Sequence, residues 1–501
     1  MRRKLPIFYS ALLLTGVNLL LRLVGTSFQV YLSGRIGPAG IGLLQLVLSV
    51  GSFAMVAGIA GVRTATMYLT AEELGKKRPE NVPRILSACF LYSIICSGIA
   101  AGLLYQMAPW FAEDWIGNPD TVSSLRLLAG FLPSACLCAV MTGYFTAESR
   151  IGTLAAVEVC EQLCSMGLTM LALKLWAGQD AGRACQCVIL GSSLSGCLTL
   201  CTLVVLRSRE RPGLSSPFPV SSRLLQAAVP LALADILKSG ISTVENLMVP
   251  KRLAENPAIA DPLASFGTVS GMVFPILMFP ACILYGLTEL LIPELARCAA
   301  AGSHPRIHYL MRRGLKITLL YALAFSGLLY LLADSLCLRF YGSPEAGRYL
   351  RLYAPLVPML YCDIITDAMT KGLGQQKACV RYNILTSAMD VAFLYILLPK
   401  YGMEGYYISF FITHLVNFVL SLRRLLRITG ERLPAHIPML AVSAALTALW
   451  LCLRLRTVSA RCVVFLIALG CLLTLLQVWG KADFLWFFHL IRGKKGSGAI
   501  T

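Results

Sequence analysis

Apolar residues recur along the chain in about fourteen runs, each long enough to cross a bilayer, separated by short polar connections. A span needs about 20 mostly apolar residues to cover a hydrocarbon core of about 30 Å. The runs lie at 7–32, 40–68, 85–109, 122–146, 155–177, 184–206, 224–249, 263–292, 315–337, 349–370, 380–398, 402–422, 436–453 and 460–479. Backbone polar groups in lipid must be hydrogen-bonded within a helix or a closed barrel. Runs of this length without strict alternation predict helices, so the expected fold class is an all-α polytopic membrane protein of about 14 transmembrane helices. The first run is too long for a signal peptide, carries Asn18 and Arg22, and lacks a small-residue cleavage site, so it is expected to remain as a span.

Cations crowd onto alternate connections. One set holds Arg2, Arg3 and Lys4; Lys76, Lys77, Arg78 and Arg84; Arg207, Arg209, Arg211 and Arg223; Arg297, Arg306, Arg312 and Arg313; Arg423, Arg424, Arg427 and Arg432; and Lys481, Arg492, Lys494 and Lys495. Lys and Arg near span ends are retained in the cytoplasm, which predicts both termini inside. The stretch 110–121, with Glu113, Asp114 and Asp120 and no cation, is expected outside.

Composition excludes several function classes. With 57% hydrophobic and 14% charged residues and a mean hydropathy of +0.71, the chain has no polar stretch long enough to form a separate soluble domain. The net charge of +19 is scattered over short loops without an interleaved aromatic stripe, which argues for topology and lipid headgroups instead of nucleic acid. The 18 cysteines lie mainly within spans and form no CxxC pair, and the five histidines show no HExxH spacing. They read as small buried apolar residues, with no metal site and no cofactor implied. Nothing matches a phosphate-cradling GxxxxGK[ST] loop, so direct ATP hydrolysis is not expected.

A weak internal repeat organises the chain. Leu125-Arg126-Leu127 followed by Pro133 returns as Leu350-Arg351-Leu352 followed by Pro358. The expected domains are a six-helix lobe at 1–206, a linker at 207–222, a second six-helix lobe at 223–425, and two extra helices with a basic tail at 426–501. Repeated halves typify transporters, with the substrate site between them. Ionisable residues inside spans usually turn toward a cavity or a partner. The polar residues inside spans include Asn18, Arg22, Arg63, Glu158, Glu161, Asp235, Lys238, Glu245, Glu289, Asp363, Asp367 and Asp390, all ionisable but Asn18. Asp235 and Lys238, at i and i+3, fit a neutralised structural pair as well as a site, and Asp363, Asp367 and Lys371 fit a solvated helix end.

Several motifs in order resemble a known family. They are Asn18 to Gly25 with Arg22 between them, Gly37-Pro38 to Gly42 and Gln45, Thr142-Gly143-Tyr144-Phe145, Glu161-Gln162, Glu245-Asn246, and Pro250-Lys251-Arg252. Gly267, Gly271, Pro275, Phe279-Pro280 and Pro293-Glu294, then Gly372, Gly374, Pro399, Gly402 and Gly405, continue the pattern over about residues 10–425. This resembles the stage V sporulation protein B group of lipid-linked oligosaccharide flippases, within the multidrug, oligosaccharidyl-lipid and polysaccharide exporter superfamily and related to lipid II flippases. The resemblance implies two lobes around an alternately opening cavity, a bacterial plasma-membrane location, and a polyprenyl-diphosphate-linked saccharide as substrate.

Such a substrate calls for a cationic, hydrated cavity, and arginine's planar fork suits phosphate oxygens. Arg22, Asn18, Arg63, Lys251 and Arg252 are therefore the candidate diphosphate and sugar contacts. Glu161, Glu245 and Asp390 are candidates for coupling to a proton or Na⁺, with a purely structural role as the alternative. Gly267, Gly271, Pro275 and Pro280 are the candidate hinge, or else an ordinary kinked packing helix. Family relatives often carry a further cation where this chain reads Ser27-Phe28-Gln29. A drug/cation antiporter of the same superfamily and a membrane-embedded glycan polymerase or transferase stay open as alternatives; neither catalytic residues nor nucleic-acid partners are expected, and membrane lipids are.

Overall fold

The computed structural model describes residues 7–76, 78–148, 150–177, 180–208, 222–431, 434 and 436–478; most of the expected linker and the basic tail from 479 lie outside the described residues. The side chains of 7–15, Asn18 and Glu289 are likewise outside them. The chain runs as α1 (Ile7–Ile59), α2 (Val62–Gly75), α3 (Val82–Trp110), α4 (Thr121–Ala147), α5 (Ile151–Ala172) and α6 (Ala181–Ser208). It continues through α7 (Ser222–Leu253), α8 (Pro262–Thr268), α9 (Phe274–Met278), α10 (Ala281–Ala300), α11 (His304–Tyr341), α12 (Pro344–Tyr353), α13 (Val357–Gly372), α14 (Gln376–Thr429), α15 (His436–Cys452) and α16 (Val458–Leu475).

Among the described residues nine helices are long and apolar enough to cross a membrane, or ten if the bent pair Pro262–Met278 and Ala281–Ala300 is one span. The count falls below about fourteen for local reasons. α1 and α14 each carry two apolar runs, broken only at Gly37 (φ +69°) and Gly402 (φ +57°). Both glycines sit in the left-handed region that a Cβ disfavours, so one residue interrupts the helix where a loop would otherwise be needed. The tenth run is divided between α12 and α13 by a 3-10 turn at Ala354–Leu356, whereas its counterpart α4 continues through Pro133. α15 is a shorter apolar helix.

Two further breaks lie inside runs. Between α1 and α2 the helix unwinds at Ala60 (φ +44°) and Gly61 (φ +73°), and the buried Tyr92 hydroxyl donates to the freed Ala60 carbonyl at 3.1 Å. The eighth run holds a π-helical turn at Val269–Val273 and bends by 62° between α9 and α10. Pro280 lies at that bend and Pro275 in the first turn of α9, where a missing N–H costs least.

The chain packs as two compact units, residues 1–290 with 376–417, and residues 291–375 with 418–501. In the first, Val62, Leu69, Leu86, Tyr144, Phe145, Leu203 and Ala228 form a shared core of α2, α3, α4, α6 and α7. In the second, α15 and α16 pack on α11, where Gly327 faces the Phe465 ring so closely that any Cβ would overlap it. Small residues at helix contacts are the usual solution in lipid, where dispersion packing replaces the hydrophobic drive between helices.

Candidate functional site

Unit one holds an open cavity of about 580 Å³ between the second half of α1, α2 and α7. Its polar lining is dense for a membrane interior: Gln45, Ser49 and Ser52 from α1, Arg63 and Thr64 from α2, and Asp235, Lys238, Ser239, Ser242, Thr243 and Asn246 from α7. One end is tied by hydrogen bonds, Asn246 Nδ2 to Ser49 Oγ at 3.1 Å and Thr243 Oγ1 to the Ser49 carbonyl at 3.2 Å.

Arg63 reaches this cavity because of the helix break. α2 restarts at Val62, so its first N–H groups have no partner within the helix and carry the positive end of the dipole. Gly61, Arg63 and Thr64 all line the cavity, which places that helix start at its wall. Gly143 of α4 backs the arrangement, since a Cβ there would overlap the Arg63 carbonyl. Glu158 of α5 lies within electrostatic range of Arg63. Among the described residues no ion pair joins Asp235 to Lys238, although both line the cavity.

Next to Gly42, the first unit closes on glycine contacts. A Cβ on Gly42 would overlap the Leu263 carbonyl, one on Gly267 would overlap the Pro38 carbonyl, and one on Gly271 would overlap the Ile41 side chain. Gln29 Nε2 donates to the Gly271 carbonyl at 3.1 Å. Lys251 at the end of α7 donates to the Asp114 carbonyl at 3.0 Å, beside the Trp115 ring. Because α1 runs from Gly37 toward Ala60, the cavity begins just beyond this glycine seam.

An acidic cluster sits on α7 and α14. Glu245 lies in hydrogen-bonding contact with Asp390, which is 4% exposed. Ser409 Oγ donates to Asp390 Oδ1, and Thr413 Oγ1 reaches the same oxygen at 3.3 Å. Tyr406 is buried beside both carboxyls, and His414 lies near Asp390. Two carboxyls and two hydroxyls make an all-oxygen donor set, the kind that suits a proton or a hard cation.

The sequence candidates thus separate into distinct places. Arg63 lines the cavity with Lys238. Exposed Arg22 lies within electrostatic range of Cys282 and Tyr285 on α10 and is not among the lining residues. Asn18 is on α1 one turn earlier, its side chain outside the described residues. Lys251 and Arg252 do not line the cavity either: Arg252 pairs with Glu255, donates to the Tyr395 carbonyl at 2.9 Å and stacks on the Tyr395 ring at 3.8 Å. Glu245 and Asp390 come together, whereas Glu161 stands apart on α5, hydrogen-bonded by Thr199. Gly267 and Gly271 are close-packing positions against α1, and Pro275 and Pro280 flank the bend. Asp367 pairs with Lys371 at 2.6 Å.

Sequence reasoning missed Ser49, Thr64, Thr243, Ser409 and Thr413. A hydroxyl in a helix can bond its own i−4 carbonyl, so it carries little signal alone. The i, i+4 spacing of Ser409 and Thr413, opposite a span acid, is the one trace that was available.

Residues 35–258 match the family described as Polysaccharide biosynthesis protein, and 230–396 match the MatE family. The chain is 20% identical over 406 residues to Stage V sporulation protein B of Bacillus subtilis (strain 168), covering 79% of this chain and 78% of that one. It is 21% identical over 395 residues to Lipid II flippase MurJ of the same organism, covering 72% and 71%. Among solved structures, Lipid II flippase MurJ in an inward closed conformation superposes with a TM-score of 0.70 at 11% identity, covering 93% of this chain and 98% of that one. An inward-facing multidrug resistance MATE family transporter of the MOP superfamily gives 0.67 at 15% identity, covering 83% and 98%. These structural likenesses speak to the fold.

Proposed function

We infer that this chain, a transporter of the multidrug, oligosaccharidyl-lipid and polysaccharide exporter superfamily, flips a polyprenyl-diphosphate-linked saccharide from the cytoplasmic to the outer leaflet. The peptidoglycan precursor lipid II, named for the similar MurJ, or a related polysaccharide or spore-wall precursor is the proposed cargo. The observation that carries this reading is the cavity at the restart of α2, where Arg63, Lys238 and a helix start without a side-chain cap among the described residues share one lining with hydroxyls and amides. The cations and helix start match a diphosphate, and the hydroxyls and amides match a sugar.

In this reading the parts before and after 207–222 rock as lobes. The glycine seam at Gly42 and Gly267 is the contact that opens, and the lipid tail stays in the bilayer. Glu245 and Asp390 couple the motion to a proton or Na⁺: two carboxyls in contact repel when both are bare, so a bound cation favours their closed arrangement. Arg22, near Tyr285, is proposed to meet the headgroup on its way to the cavity. The plasma membrane and cytoplasmic termini belong to the same proposal.

The test is translocation of a fluorescent polyprenyl-diphosphate sugar in proteoliposomes. A charge-assisted contact is worth about 1.5–3 kcal/mol, so Arg63→Ala should weaken apparent substrate affinity by about ten- to 150-fold, with Arg63→Lys between the two. Unchanged flipping in R63A would remove the cavity from the substrate path. Transport of organic cations with no flipping would turn the assignment to a drug/cation antiporter. A new covalent glycan product would make the chain an enzyme.

A further inference from the structure

We propose that a crevice at the start of α11, in the second unit and lined by none of the residues of the candidate transport cavity, binds an anionic diacyl phospholipid such as phosphatidylglycerol. The crevice measures about 790 Å³ and is bounded by α11, α13, the end of α14 and the start of α15. Along α11 it extends from Pro305 to Leu319. That is about 21 Å of helix at 1.5 Å per residue, longer than half of a hydrocarbon core of about 30 Å. A site of this length accepts a headgroup at the interface and an acyl chain reaching toward the bilayer centre.

Its lining combines charge with an apolar wall. Arg312, Arg313 and Lys316 line its middle, about 10–17 Å along α11 from Pro305, and Leu315, Leu319, Phe418 and Leu422 supply apolar surface beside them. The cationic stretch is held in place from behind. Glu431, with a side chain 3% exposed, pairs with Arg312 and lies 2.8 Å from His308 Nδ1, and His308 Nε2 donates to the Thr429 carbonyl at 2.9 Å. Arg312 is nonetheless 61% exposed, so its guanidinium keeps donors for a ligand.

Charge placement assigns the connection before α11 to the cytoplasmic side, where anionic lipid is attracted by basic residues beside span ends. A soluble anion would leave the apolar wall wet, and a zwitterionic lipid would bring no net charge to the exposed Arg312 guanidinium. An anionic phosphodiester lipid suits both parts of the lining. The assignment does not depend on which cargo the transport cavity carries.

The test uses the full-length protein in nanodiscs of phosphatidylcholine doped with phosphatidylglycerol, with co-purifying lipid identified by native mass spectrometry. Wild type should retain phosphatidylglycerol well above its share of the bilayer. Removing two cations in R312Q/K316Q should weaken retention roughly thirtyfold, and R312K/K316R should restore it. Leu319→Trp, which fills the apolar part and leaves every cation in place, should also displace the lipid. Retention that mirrors the bilayer in wild type, or persists in both R312Q/K316Q and L319W, would overturn the site. So would one-for-one displacement of phosphatidylglycerol by added polyprenyl diphosphate, which would place the crevice on the cargo's path. Flipping activity is read separately, so failure of the lipid site leaves the transport assignment standing, and the converse holds.

Discussion

Gly267→Ala tests the seam between α1 and α8 with one methyl group. At 267 a Cβ would overlap the Pro38 carbonyl oxygen and lie 2.6 Å from Gly42 N and 2.9 Å from Gly42 Cα. All three are backbone atoms, so no rotamer relieves the overlap, and the two helices must part by at least a few tenths of an ångström. Overpacking of a tight contact costs about 1–3 kcal/mol. If the seam opens and closes as a two-state element, that cost falls on the closed form alone and shifts the equilibrium about five- to 150-fold toward opening. Hydrogen exchange with mass spectrometry reads this without altering the native cysteines. Peptides covering 37–45 and 262–273 should exchange faster in G267A, and those from α15 and α16 should not change. Gly98→Ala is the control, because a Cβ there meets nothing within 4 Å. If G267A left exchange at the seam unchanged while the protein stayed folded, the claim that backbone contact at Gly42 and Gly267 holds this end shut would be wrong.

Three further outcomes are expected. Tyr92→Phe removes the donor that satisfies the Ala60 carbonyl at the helix break; a buried unsatisfied acceptor costs about 1–3 kcal/mol, seen as a lower thermal midpoint in detergent, and an unchanged midpoint would show that another donor serves that carbonyl. Gly327→Leu drives a side chain into the Phe465 ring and should undock α15 and α16 from α11, which limited proteolysis would reveal as new cleavage between 430 and 458; resistance equal to wild type would sink the packing argument. If Glu245 and Asp390 couple the proposed transport, Asp390→Asn, which keeps shape but removes one of the two carboxyls, should abolish any dependence of flipping on an imposed proton or Na⁺ gradient while substrate binding persists. A gradient response that survived in D390N would exclude the pair as the coupling site.

The helical class and the placement of apolar runs were legible because a bilayer leaves a backbone few choices. Long apolar runs must become helices, and they did so even where Gly37 and Gly402 compress two runs into one nearly continuous element. Several motif residues also find their reason in single contacts. Gly143 lies against the Arg63 carbonyl, Gly267 against Gly42, and Asn246 against Ser49. Periodicity alone conveys none of these, since each depends on a partner far along the chain.

By itself, then, the sequence determined the solvent this protein folds in, its helices, and the short inventory of charged residues forced to find partners in lipid. Only tertiary structure decided which of them meet. Arg22, Lys251 and Arg252 looked equivalent to Arg63 as span or span-end candidates, yet of these four Arg63 is the one that lines the cavity, because the chain unwinds at Ala60 and Gly61 beside it. Glu245 and Asp390 are 145 positions apart, and their contact exists only once α7 and α14 pack with Ser409 and Thr413 turned toward them. Hydrophobicity is a property of each residue and survives reading in one dimension. A site is a set of distances between residues remote in sequence, and packing alone sets those distances.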